Sequence, residues 1–257
     1  MSPFTNENAL ELPILFIDDH IVVVNKPSGL LVHRSAVDKL ATEFALQIVR
    51  DQTGRHVYPV HRLDRGTSGA LVFAFSSDAA RELNSQFAEG LVHKKYMAIV
   101  RGYAPEELNI DYPLKEILDK ATDSKARTDK PAQEAITAIR SLSTVELPFS
   151  NGQFATSRYS LVEAIPKTGR KHQIRRHLSH LKHPIVGDTT YGKGLHNRLF
   201  ETHFGVKRLL LACTEIGFSH PALKTPVFIR ANLACEYKEL LQKLDWGSSI
   251  AEIELGN

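Results

Sequence analysis

"HRLDRGTSG", residues 61–69, sets one histidine, two arginines and an aspartate in five positions and then stops at a Thr-Ser-Gly turn. The apolar run "ALVFAF" (70–75) follows at once, so the polar cluster stands at the mouth of a buried strand. An aspartate between Arg62 and Arg65 has two readings. It is half of an ordinary loop ion pair, or it is a carboxylate kept ionised for chemistry.

Working outward, "PILFIDDHIVVVNKPSG" (13–29) reads as two short strands or one bent hairpin closed by a Pro-Gly turn. "SSDAARELNSQFAEGLV" (76–92) opens on serine and repeats Ala80, Leu83, Phe87 and Leu91 at helical spacing, so an amphipathic helix is expected. "KKYMAIVRGY" (94–103) is a strand rich in aromatic and β-branched residues. "SRYSLVEAI" (157–165), "KRLLLACTEIGF" (207–218) and "PVFIRA" (226–231) read as further strands. Residues 119–134 are polar without an apolar period and read as a surface loop. The pattern predicts an α+β fold with a bent, mixed or mostly antiparallel central sheet flanked by helices and loops.

"KHQIRRHLSHLKH" (171–183) reads as a helix with Ile174, Leu178 and Leu181 along one stripe. His172, Ser179 and His183 point away from that stripe, and Arg175 falls on its border, from where it can enter an interior cleft. Residues 164–187 hold six Lys or Arg and no acid, on a chain whose net charge is only +3. Such a concentration suggests a phosphate-binding surface, with a solvated helix face as the plain alternative. The histidines do not suit a metal. His172 lies about 16 Å along the axis from His183, and no cysteine pair or HExxH supplies further ligands. Histidines interleaved with Arg and Lys are expected to face RNA phosphates.

A chain of 257 residues, 42% hydrophobic and 24% charged, suits a soluble globular protein. No apolar stretch is long enough to span a membrane, and the N-terminus has no secretory pattern. Cys213 and Cys235 form no CxxC pair, so free thiols in a cytoplasmic protein are expected. The expected organisation is an N-terminal tail over 1–12, one domain over 13–245 and an acidic tail over 246–257, with no separate N-terminal domain.

Four landmarks in order carry a resemblance: "NKPSG" (25–29), "HRLDRGTSG" (61–69), "KKYMAIVRG" (94–102) and "TGRKHQIRRHLSHLKHPIVGD" (168–188). Together they resemble the RluA-type pseudouridine synthases, from about residue 14 to about 235. One departure stands where His-Ala is expected after Leu211, since this chain has Ala212 and Cys213.

The resemblance implies the fold of that family and an isomerase that breaks the N1–C1′ bond of a uridine and joins C5 to the sugar. It implies no cofactor and no metal. Its nearest members imply a tRNA substrate and a uridine at position 65, with a ribosomal RNA uridine as the alternative. Asp64 takes the nucleophile's place, Arg175 the place of the cation that favours its ionised form, and Tyr96 that of the tyrosine that stacks on uracil and takes the C5 proton.

Arg62 is positioned to fill the space a flipped base vacates. Lys26, Arg170, Lys171, His172 and Arg176 are expected to meet RNA, and Lys26 with the 27–29 turn either to shape the pocket wall or to serve structure alone. His61 orders the loop. Thr67, Ser68 and Gly69 form a tight turn that brings backbone to the ligand, and Ile174 lines the pocket. A monomer is expected, with no membrane and no obligate protein partner.

Two readings from other classes stand beside this one. A binding module with vestigial catalytic residues would bind RNA without isomerising it. A glycosidic hydrolase would need a second carboxylate across the bond, and none is near the motifs.

Overall fold

Two runs apolar on both faces, "IVVV" (21–24) and "GALVFA" (69–74), predict central strands, and the computed structural model places them side by side with no exposed side chain among them. It describes residues 10–34, 42–117 and 130–248. Most of the loop read over 119–134, residues 1–9 of the N-terminal tail and 249–257 of the acidic tail lie outside them.

In chain order the elements are β1 (Ile14–Ile17), β2 (Ile21–Lys26), α1 (Ala45–Thr53), β3 (Tyr58–Pro59), β4 (Ser68–Ala74), α2 (Ser77–Ala88), β5 (His93–Arg101), β6 (Glu107–Asp111), β7 (Ile136–Leu147), β8 (Ser157–Pro166), α3 (Gln173–His180), α4 (Gly194–Phe204), β9 (Leu211–Ser219), β10 (Pro226–Arg230) and α5 (Cys235–Lys243). The sheet runs β1-β2-β4-β9-β5-β8-β7-β6, with β10 on β9 and β3 on β4. The fold is α+β with a mixed sheet, as the patterning predicts.

Among the described residues β4 and β9 are the one parallel pair of named strands, joined at Ser68↔Ala212 and Gly69↔Cys213. All other pairings are antiparallel. Two antiparallel halves therefore meet at one parallel seam, and the 61–67 loop leads straight into it. Gly69 has φ +112, and a Cβ there would stand 2.0 Å from the Cys213 carbonyl oxygen. Its purpose is close approach of strand to strand. This corrects the expectation that Gly69 brings backbone to a ligand.

Local sequence explains most boundaries. The Asp18 carboxylate accepts from the His20 and Ile21 N–H groups and turns β1 into β2. Ser76 caps α2 by accepting from Ala79 N–H. Ala80 and Leu83 of α2 are buried, whereas Leu91 lies beyond the helix and is exposed. The basic helix α3 is shorter than its 13-residue pattern. It starts after His172, which is left-handed at φ 58, and Lys182 at φ 68 turns His183 out of it.

Strands β6 and β7 and helices α1, α4 and α5 were not among the expected elements. Leu12 and Trp246, the residues that flank the 13–245 span, are both buried. Leu12 N–H donates to Gln52, and the Trp246 indole N–H donates to the Thr144 carbonyl. No helix among the described residues is long and apolar enough to cross a membrane.

Candidate active site

The loop of residues 61–67 is held from below by the "NKPSG" turn. Lys26 is fully enclosed, and its ammonium donates to the carbonyls of Pro27, Leu30 and Arg65 at 2.9, 2.8 and 3.3 Å. Ser28 Oγ donates to Gly66 O, Gly29 N–H to Arg65 O, and Arg65 Nε to Gly29 O. Burial and the nearby Arg208 push the Lys26 ammonium down to about 7, against the pull of Asp64. Lys26 is thus a clasp between two loops. The expectation that it meets RNA and shapes the pocket wall is corrected, because no part of it is exposed.

From this loop Asp64 turns toward α3, 111 residues on. Arg175 Nη1 donates to Asp64 Oδ2 at 2.9 Å. The same guanidinium gives Nε and Nη2 to the two oxygens of Asp188, at 2.7 and 2.9 Å. The side chains of Arg175 and Asp188 are 10% and 1% exposed, and that of Asp64 is 20% exposed. One buried cation therefore serves two carboxylates, of which only Asp64 opens outward. The partner of the Asp64 carboxylate is thus Arg175, while Arg62 is exposed on the cleft wall and Arg65 is bonded to Gly29.

Asp188, the last residue of the fourth landmark, is one the sequence reading did not single out; it corrects the expectation that no second carboxylate lies near the motifs, but at 1% exposure it does not open on the cleft. It follows Gly187, whose Cβ would stand 1.7 Å from Arg208 O, and its Oδ1 also accepts from the Thr190 and Tyr191 N–H groups. Burial alone would raise its carboxyl; Arg175 and those two N–H groups outweigh burial and hold it below the usual range. For Arg175 burial works against the charge, and the bonds to Asp188 and Asp64 more than restore it. Tyr191 lies under the guanidinium, 5.2 Å from ring centre to Cζ, and its hydroxyl is 3.0 Å from His172 Nδ1. His172 Nε2 stands 3.8 Å from Asp64 Oδ1. His172 thus borders the cleft. Burial lowers its pKa more than Asp64 raises it.

Asp64, Tyr96, Thr67, Ile174 and Arg175 share one open cleft of about 780 Å³ with Arg62, Lys94 and Leu211. That volume is within the range of small-ligand sites. Tyr96 pairs with Cys213 across β5 and β9. Burial pushes its phenol well up, with Cys213 and Asp64 adding to the effect, so the free protein presents a neutral ring and not a standing base. The Cys213 thiol is pushed up to about 12 by burial, which leaves it unreactive.

The remaining expectations divide. Ser68 Oγ accepts from Arg208 at 2.6 Å and so ties the loop to the frame. Arg170 and Lys171 line the cleft but give hydrogen bonds to the carbonyls of Glu134 and Ile117. Arg176 bonds to Lys115 O and does not line it. Among the other histidines of the basic segment, His177 is corrected as well. His177 is fully buried between Thr137 Oγ1 and Tyr112 O. His180 stacks on Tyr112, and His183 bonds to Arg101 O.

His61 orders its loop by a specific bond. Its Nε2 accepts from Val72 N–H at 3.0 Å, and its ring stacks on Phe87 at 4.7 Å. Burial, helped by Lys94, lowers its pKa from 6.5 to about 3. Between those values the unfolded chain binds a proton that the folded chain refuses. Stability from this residue is therefore complete above pH 6.5 and is lost as pH falls toward 3, at about 1 kcal/mol per pH unit. His61→Gln keeps an acceptor and removes the titration. Urea unfolding from pH 7 to pH 4 is expected to show a shallower decline for the variant. Parallel declines would refute the assignment.

Known proteins are similar to this chain over nearly its whole length. A model of the RNA pseudouridylate synthase family matches residues 20–180. The chain is 55% identical over 239 residues to tRNA pseudouridine synthase C of Vibrio cholerae serotype O1, covering 93% of this chain and 98% of that one. It is 48% identical over 235 residues to tRNA pseudouridine synthase C of Haemophilus influenzae, covering 91% and 98%. Among solved structures, human RNA Pseudouridylate Synthase Domain Containing 4 superposes with a TM-score of 0.66 at 28% identity, over 91% of this chain and 93% of that one.

Proposed function

The chain belongs to the RNA pseudouridylate synthase family, and from that membership we propose that it isomerises a uridine of tRNA, at position 65, with Asp64 as the reacting carboxylate. The observation that carries this reading is the Asp64 carboxylate, held at 2.9 Å by an arginine that a second carboxylate keeps in place, inside the cleft that Tyr96 lines. Uridine and pseudouridine are isomers. The N1–C1′ bond breaks, the base turns, C5 bonds to C1′, a proton leaves C5 and N1 takes one up. Attack on the sugar, attack on the base or removal of a sugar proton each need an unprotonated carboxylate within reach.

Arg175 aims that carboxylate, and its bonds to Asp188 stop it from folding over Asp64 completely. Neutral Tyr96 offers a face for the flipped base. Arg62 at the exposed wall is placed to hold the flanking strand. The tRNA substrate is supported by the relatives' names and by the near-complete coverage of their length.

Deletion of the gene, followed by position-resolved pseudouridine mapping in tRNA and ribosomal RNA, tests the substrate. Loss at tRNA position 65 with ribosomal sites intact is expected, and purified protein is expected to restore it. Loss confined to ribosomal RNA would overturn the tRNA assignment. Binding without isomerisation would favour a vestigial module, and release of free uracil a hydrolase.

A further inference from the structure

Lys94 is 8% exposed, yet among the described residues it makes no hydrogen bond and no ion pair. Among the described residues no fully enclosed side-chain nitrogen or oxygen lacks a partner, so its ammonium opens on the cleft it lines. It stands two residues before Tyr96 on β5. The two side chains share one strand face about 7 Å apart, while Lys95 between them turns to Glu163 at 3.4 Å. The groups that sense its charge are His61 and the Cys213 thiol, and neither is a carboxylate. A cation this buried is costly unless an acceptor meets it.

The other cations of the cleft are committed or exposed. Arg175 is divided between two carboxylates, and Arg170 and Lys171 give hydrogen bonds to carbonyls. Arg62 and Lys171 are exposed, where phosphates keep their water. Lys94 is left as the deep donor beside the Tyr96 ring. When the N1–C1′ bond breaks, its electron pair goes to the base and spreads onto the two carbonyl oxygens. That charge is discharged when C5 bonds to the sugar; the C5 proton then leaves and N1 takes one up.

We infer that Lys94 is a further catalytic residue, whose ammonium hydrogen-bonds a carbonyl oxygen of the target uracil and stabilises the charge the base carries while detached from the ribose. Lys94 keeps its proton throughout. This inference rests on the isomerase reading proposed above. A preorganised donor aimed at developing charge commonly contributes 10²–10³-fold in rate.

The test compares wild type with Lys94→Met and Lys94→Gln on unmodified tRNA transcript. Single-turnover isomerisation at saturating protein and filter-binding Kd across a salt series are measured. Both variants are expected to slow the chemical step by about 10²-fold or more, with Kd within about threefold and an unchanged salt slope. Lys94→Arg is expected to recover part of the rate. Lys94→Met should melt no lower than wild type, because it removes a buried charge without a partner.

A Kd weakened tenfold, with a salt slope smaller by about one and a normal rate at saturation, would make Lys94 a phosphate contact and overturn the inference. Unchanged rates in both variants would overturn it too. Should Lys94→Met not fold, the Gln variant decides. A wild type that isomerises no RNA would instead overturn the functional reading.

Discussion

Asp64→Asn is expected to lower uridine isomerisation by about 10⁴-fold or more, as loss of a reacting side chain does elsewhere, while the protein folds and binds RNA. The amide keeps an oxygen where Arg175 Nη1 now donates at 2.9 Å, and Asp188 still holds the rest of the guanidinium. The loop's own supports do not bond to that charge, although it favours the Lys26 ammonium. Lys26, Ser28 and Gly29 bond to backbone groups of residues 65 and 66, not to the carboxylate. Removing one negative charge from a cleft that meets a polyanion should leave Kd equal or slightly lower. Single-turnover kinetics and filter binding together separate these effects. An undiminished rate would remove Asp64 from the chemistry. A lost rate accompanied by lost binding and lowered melting would assign it a structural role.

Apart from the Asp64–Arg175 pair, which the resemblance supplied across 111 residues, the parts of this site that were legible in the sequence are those whose partners lie within one short segment. The burial of β4 could be read because "ALVFAF" is apolar throughout, and the course of Arg175 because it borders the Ile174–Leu178 stripe. Both kinds of information are local. Lys26 misled because a lysine before a Pro-Ser-Gly turn resembles an exposed phosphate ligand. The carbonyl of Arg65 that helps to enclose it lies 39 residues away. His177 misled for the same reason, since Thr137 and Tyr112 arrive from other elements. Strand β7 was missed because its outer half is largely exposed or half-buried and its pairing with β8 is irregular between Ser141 and Ser143. Lys94 did carry a signal, its two-residue offset from Tyr96. What the sequence could not supply was its lack of a partner.

Asp188 shows how far such a long-range arrangement reaches, and its replacement has the second large effect. Asp188→Asn leaves an amide N–H facing Arg175, so one of two buried charge-assisted bonds is lost and the arginine is free to turn wholly onto Asp64. The rate at saturation is expected to fall about 10²-fold, with stability reduced by about 3 kcal/mol, as for other broken buried pairs. A fall in melting alone would fit any damaged core residue, so the deciding experiment is a double-mutant cycle with Arg175→Met. In that background Asp64 and Asp188 face each other with no cation between them. Replacing Asp188 by Asn then removes a repulsion and an unpaired buried charge. The double variant is expected to melt higher than Arg175→Met alone and to be no slower. The same substitution thus harms the intact site and helps the damaged one. Additive losses in the cycle would show that Asp188 does not act through Arg175.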